Sequence, residues 1–325
     1  SGALEEKKGG LKMDIVSVLA VAVRHAGPIL LVAMGGLLAM KANVFNLALE
    51  GFMLIGCFAS VVGAYFFQNV WLGVLCGVLA STAFIAIYAA FIIELKVQPV
   101  ICAISIITLA SGLTRYLLNP IFGVSGRYVL PSALALPTIR LAWLEKIPVL
   151  GPILNGHSLL VYLSLLLPFL MYFVLYHTRF GLNLRAVGLN EDAAIAAGVH
   201  ATKIKYTALL VNGVLCGLGG ATLALSVYMF NVGMTNGRGY TALAAIVLAG
   251  NHPLWTLATC LLFGFAESLV ISLSTSGISA YLLGMLPYLL ALIAALLPQI
   301  VHLTSHTLRR RKAERQFIAQ HTDLP

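Results

Sequence analysis

Acidic side chains are scarce in this sequence: Asp and Glu number 11 among 325 residues, and all four charged types together make up only 10%. A soluble domain carries roughly 25%. With 60% apolar residues and a mean hydropathy of +0.96, the chain has more oily surface than one core can hide. The bilayer is the solvent that accepts it, through helical spans whose backbone groups bond internally. The composition therefore gives an all-α, polytopic integral membrane protein and excludes a water-soluble enzyme.

Paired chemistry is missing too. Cys57, Cys76, Cys102, Cys216 and Cys260 lie inside apolar runs with no CxxC spacing, so they read as small hydrophobes rather than a disulfide framework. His302 and His306 stand one turn apart without a third ligand, which argues against a metal site. The absence of HExxH and GxSxG leaves no catalytic set, and no GxxxxGKS/T loop offers the usual cradle for ATP phosphates. The net charge of +9 is no nucleic-acid signature either. Arg309, Arg310, Arg311, Lys312 and Arg315 crowd one tail, and Arg179, Arg185, Lys203 and Lys205 share one segment, as cytoplasmic segments do.

What the sequence does hold is oily runs near the length of about 20 residues that a crossing needs. They cover 27–40 with a lead-in from 14, then 47–67, 70–93, 98–118, 157–177, 207–230, 254–273 and 278–301. Placing 178–206 and the basic tail in the cytoplasm demands an even number of crossings between them. The short run 240–250 must then cross as well, or another segment must re-enter. Eleven helical residues reach only about 16 Å, so this element must be tilted, extended by unwound flanks, or buried among other helices. The same count puts 119–156 outside, with Arg127, Arg140, Glu145 and Lys146, and Glu94 and Lys96 inside. Gly73-xxx-Gly77 and Gly213-xxx-Gly217 offer small faces for close helix contact. Trp71, Trp143 and Trp255 fall near span ends, where rings anchor at headgroups. Residues 1–12, opening Ser-Gly-Ala-Leu, read as a tag remnant or disordered segment, 13–307 as the membrane domain and 308–325 as a basic cytoplasmic tail.

The polar segment Arg179–Tyr206 is far longer than a simple join between spans requires. Asn190 can cap a helix there, with Glu191 and Asp192 in its first turn and Gly198 ending it; the alanines between leave a thin face suited to a groove on another protein. Asp192-Ala193-Ala194, three residues and Gly198 resemble the EAA-xxx-G signature of ABC-importer permeases, with Asp for Glu. The wider block "TRFGLNLRAVGLN" looks like permeases of the ribose, branched-chain amino acid and nucleoside group. "NVFNLALEGFMLIGCFAS" and "GRGYTALAAIVLAGNHPLW" are similar to segments of the nucleoside and simple-sugar permeases. The resemblance implies about eight to ten spans in two related halves and a coupling helix formed by Glu191, Asp192, Ala193, Ala194 and Gly198. It further implies a second permease subunit (the same chain or a paralogue), a cytoplasmic ATPase carrying ATP and Mg, and an extracytoplasmic substrate-binding protein, all at the bacterial inner membrane.

Polar residues inside the oil mark the expected substrate path: Asn43, Asn46, Glu50, Glu267, Asn251 and His252. A carboxylate at the bilayer centre costs roughly 2.5–3.5 kcal/mol on insertion scales and needs a partner, a proton or water. Asn46 and Glu50, four apart, would share one helix face. Two readings of Glu50 stand: a pathway group accepting ribose hydroxyls or base N–H groups, or a latch that pairs with Arg115 or caps a re-entrant segment. Glu267 is either pathway or a helix–helix bond, and Arg115 with Asn119 either meets substrate or snorkels to the interface. Asn251-His252-Pro253 is a turn that can serve an inner gate. The expected function is permease of an ATP-driven nucleoside importer working by alternating access. The alternatives are the same machine carrying ribose or another simple sugar and, from another class, an ion-coupled secondary transporter.

Overall fold

The computed structural model describes residues 15–140 and 150–274, together with Met285 and Leu289. The expected span 278–301, the basic tail, residues 1–12, Trp143, Glu145, Lys146, His302 and His306 lie outside the described residues. Among those described, the order is α1 (Ile15–Lys41), α2 (Leu49–Phe67), α3 (Val70–Ile93), α4 (Pro99–Phe122), β1 (Arg127–Val129), β2 (Thr138–Ile139), α5 (Leu150–Leu154), β3 (His157–Ser158), α6 (Leu159–His177), α7 (Arg179–Leu189), α8 (Glu191–Ala196), α9 (Ala201–Ser226), β4 (Met229–Asn231), α10 (Arg238–Leu248) and α11 (Pro253–Ser274). Seven of these helices, α1, α2, α3, α4, α6, α9 and α11, are long and apolar enough to cross a membrane.

Local chemistry sets the boundaries. Asn69 Oδ1 accepts from the amides of Trp71 and Leu72 to start α3, and Gln98 Oε1 accepts from Ile101 N just before Pro99 opens α4. Gly123, at φ +68°, ends α4 in the left-handed conformation glycine adopts without strain.

α9 lies at the centre, packed on α1, α2 and α3, with α3 also lying on α2 and with α6 and α11 flanking α1. Small residues decide how near those backbones come. A Cβ on Gly73 would sit 2.6 Å from Ser60 O and one on Gly77 2.8 Å from Gly56 O, so α3 lies flush on α2. Gly213 and Gly217 bring α9 equally close to Thr82 and Val78 on α3's other side. Both expected glycine pairs thus sit at helix contacts. The outward row of α3 is wholly apolar, with Trp71, Leu72, Leu75, Leu79, Ile87 and Phe91 exposed, and α6 shows the same pattern from Leu159 to Phe173. Such rows suit lipid.

The bundle has two distinct ends. At one, β1 pairs antiparallel with β4 and β2 with β3, tying the α4–α6 connection to the segment after α9. At the other gather the last turn of α1, helices α7 and α8, and the start of α9. There the Tyr206 hydroxyl donates to Glu94 Oε1 at 2.6 Å, and Gly188 lies against the Lys41 carbonyl. The segment expected as a loop with one short helix is instead nearly all helical. Thr178 caps α7 by accepting from Gly181 N, and α9 starts at Ala201 rather than 207. Hydropathy finds where a helix turns apolar, and Lys203 and Lys205 extend this one beyond that point.

Candidate functional site

α10 begins part-way along the bundle, against the first turn of α2. Its C-terminal turn, Asn251-His252, packs on Tyr172 and Tyr176 in the last turns of α6, at the short-helix end of the bundle; the His252 ring lies 5.7 Å from each tyrosine ring. Eleven residues rise about 16 Å, so the α10 N-terminus stops near the middle of a hydrocarbon core of about 30 Å. The apparent shortfall of the 240–250 run is therefore real: this is a half-length helix reached by an irregular segment, 232–237. A matching irregular stretch, 42–48, carries the chain from α1 to α2, with Val44, Asn46 and Ala48 buried. Non-helical backbone at this depth persists only when enclosed by protein or lining a cavity.

A half-helix exposes the free N–H groups of its first turn to a medium that cannot solvate them. Glu50 meets that need: Oε1 accepts from Gly237 N at 2.9 Å and Oε2 from Gly239 N at 2.7 Å. The carboxylate and the positive end of α10 satisfy each other, because charge-assisted bonds to backbone amides are about twice as strong as neutral ones. Glu50 thus caps the half-helix and does not pair with Arg115, which is exposed on α4. Gly239 permits the approach, since a Cβ there would fall 2.5 Å from Glu50 Cα.

Glu267 reaches the same helix from another side. Its Oε2 lies 2.8 Å from Arg238 Nη2 and 3.2 Å from His25 Nδ1, tying α11 to α10 and α1. Arg238 also donates from Nη1 to Met234 O at 3.3 Å. Sequence reasoning missed Arg238 and His25. The signal was available: an acid in an apolar span requires a cation, and Arg238 and His25 are among the few basic side chains in the membrane-facing stretches. Asn46 does not share a helix face with Glu50. The helix starts only at Leu49, and Asn46 Oδ1 instead accepts from Ala48 N at 3.0 Å in a local turn. Asn43 is exposed at the short-helix end, against Gly188, away from Glu50's level.

At that end, Asn190 Oδ1 accepts from Ala193 N at 3.0 Å, Glu191 and Asp192 occupy the first turn of α8, and Gly198, at φ +84°, follows its end. Glu191 is held by Lys205. Ala194 points inward and is buried with Val187 and Ala201, whereas Asp192, Ala193, Ile195 and Gly198 are exposed. Only Ala194 is thus turned towards α7 and α9, while Ala193, Ala196 and Ala197 are presented outward with the acids and Ile195. The Arg185 guanidinium sits 4.9 Å above the Tyr176 ring, which in turn touches His252. Four groups around α10 are buried without a partner among the described residues: Asn46 Nδ2, Arg238 Nε, Asn251 Oδ1 and His252 Nδ1. Asn46 and Arg238 lie at the capped end of α10 and Asn251 and His252 at its other end, so unused hydrogen-bonding groups line both ends of the half-helix.

The chain matches the family described as branched-chain amino acid transport system / permease component over residues 18–297. It is 34% identical to a guanosine ABC transporter permease of Bacillus subtilis (strain 168), over 87% of this chain and 93% of that one. A nucleoside ABC transporter permease of Lactococcus lactis subsp. cremoris is 30% identical over 80% and 84%. A putative glucose ABC transporter permease of Haloferax volcanii is 33% identical over 78% and 76%.

Proposed function

Because this chain belongs to the branched-chain amino acid transport system / permease component family, we propose that it is the permease subunit of an ATP-driven importer whose solute is a nucleoside. The observation that carries the substrate class is the 34% identity to a guanosine permease across 93% of that relative. The partly unpaired amide, imidazole and guanidinium groups around α10 fit a neutral solute rich in donors and acceptors.

In this reading the half-helix is the moving part. Outward-open and inward-open states must differ in affinity for the solute, and an element clamped by Glu50 and Glu267 can pass between two discrete arrangements. α8 is the surface on which a separate ATPase, carrying ATP and Mg, docks. Asp192, Ala193, Ile195 and Gly198 form its contact, with Glu191 and Ala194 setting its pose. Movement there reaches α10 through Arg185, Tyr176 and His252. Lys41, Lys96, Arg179, Arg185, Lys203 and Lys205 gather at this end, which supports placing it in the cytoplasm. A second permease, identical or paralogous, and an extracytoplasmic binding protein at the strand end complete the machine at the bacterial inner membrane.

Uptake of labelled guanosine in a strain lacking the chain, restored by the gene and competed by adenosine, uridine or ribose, tests the reading. Competition by nucleosides alone supports it. Competition by ribose alone moves the assignment to the sugar branch, which the 33% identity to the haloarchaeal relative favours as the second reading.

A further inference from the structure

One transmembrane face differs in kind from the exposed rows of α3 and α6. Along α4 the exposed positions include Ser105, Thr108, Gly112, Arg115, Tyr116 and Asn119 among apolar ones. The exposed rows of α3 and α6 are apolar through their spans, whereas this one carries hydroxyls, a glycine, a cation, a phenol and an amide. Two open cavities follow it. One of about 590 Å³ sets Ser105, Thr108 and Tyr116 among Ile104, Leu109, Gly112 and Leu113; the other, of about 620 Å³, is lined by Arg115, Tyr116, Asn119 and Ser125 with Pro120, Gly126 and Val232. They share Tyr116, so together they form one groove from mid-span to the strand end. Its inner end is level with the half-helix cap, because Gly51, next to Glu50, lies against the Ile107 backbone.

Gly112 is a second sign on the same face. Every other described glycine inside the seven long helices has a neighbour that a Cβ would crowd, whereas Gly112 has nothing within 4 Å. Glycine inside a helix costs roughly 0.5–1 kcal/mol relative to alanine, and no packing contact explains it here. The space before Gly112 is kept open.

We propose that this α4 groove is the chain's wall of the solute passage, leading from the strand end to the Glu50 level. It rests on the permease reading above and names the residues that contact the solute. Ser105 and Thr108 donate their hydroxyl protons to the carbonyls of Ile101 and Ile104, which leaves the oxygens as acceptors for sugar hydroxyls or base N–H groups. The Tyr116 ring, 72% exposed, offers a stacking face to a planar base, and Arg115 and Asn119 supply donors at the entrance. A solute with a flat ring and several hydroxyls matches this set.

Single cysteines at Ser105, Thr108 and Asn119, and at Leu75 and Leu79 of α3 as lipid-facing references, are reacted with a membrane-impermeant thiol reagent in vesicles holding the assembled transporter. Thiols react as thiolates, which form in water and not in lipid, so the α4 positions are expected to label about tenfold faster than the α3 pair. Guanosine is expected to slow that labelling. Labelling of α4 no faster than α3, or labelling untouched by any solute, overturns the proposal. Slowing by ribose but not guanosine keeps the groove and overturns the nucleoside reading. Gly112→Trp, whose side chain has room within this chain, is expected to block uptake while leaving melting and co-purification with the second permease unchanged. Normal uptake, or loss of that co-purification, makes the face something other than a passage and overturns the proposal.

Discussion

Glu50 and Glu267 are two acids kept inside a bilayer by different means. Glu50 bonds to backbone amides and takes its compensation from a helix end; Glu267 bonds to the Arg238 guanidinium and the His25 ring. The difference teaches what each demands of its position. An amide donor is satisfied by any well-placed oxygen acceptor, but a buried guanidinium requires a negative charge. Both contacts end on the first turn of α10, so the half-helix is held from two sides by bonds that one substitution can separate.

The largest expected effect lies on the cation side. Glu267→Ala strands Arg238 in a poorly solvated site and should cost about 4 kcal/mol, as breaking a buried pair does, read as a large drop in melting temperature in detergent. Adding Arg238→Leu should recover much of that loss; no recovery would mean that the pair is not the source. Next comes Glu50→Ala, which leaves two amides without an acceptor and should cost about 3 kcal/mol, with uptake lost. The sharpest contrast is between the two isosteres. Glu50→Gln keeps one oxygen acceptor and should cost about 1 kcal/mol, while Glu267→Gln, which removes the charge Arg238 needs, should cost about 2. Equal melting shifts for the two would erase the distinction drawn here. The smallest effect is Asn190→Ala, which removes the α8 cap worth about 1 kcal/mol. The bundle should melt as before while solute-stimulated ATP hydrolysis in the assembled complex falls; unchanged stimulation would remove α8 from the proposed docking surface.

Much of the architecture was legible in order. The apolar runs foretold the described spans to within a few residues, because a bilayer sets span length and excludes charge. The Asn190 cap and the Gly198 end were legible too, being local chemistry between near neighbours. Misplaced features were those in which polar residues change the helix limits. α7 and the first turn of α9 were read as loop, and Asn46 was set on a helix that starts only at Leu49. The partners of Glu50 were harder still, since Gly237 and Gly239 donate through their backbones and leave no side-chain signature.

By itself the sequence determined that the chain suits lipid, which of the described segments are long and oily enough to cross, and that 240–250 falls short of a full crossing. Those are one-dimensional properties, set by how much oil each stretch carries. The tertiary structure alone decided where the half-helix begins, that two acids distant in the chain close on its first turn, and that α4 turns a polar face outward. Bonds spanning 187 and 189 residues depend on how helices stack, and stacking is set by glycine contacts between faces that the linear order does not bring together.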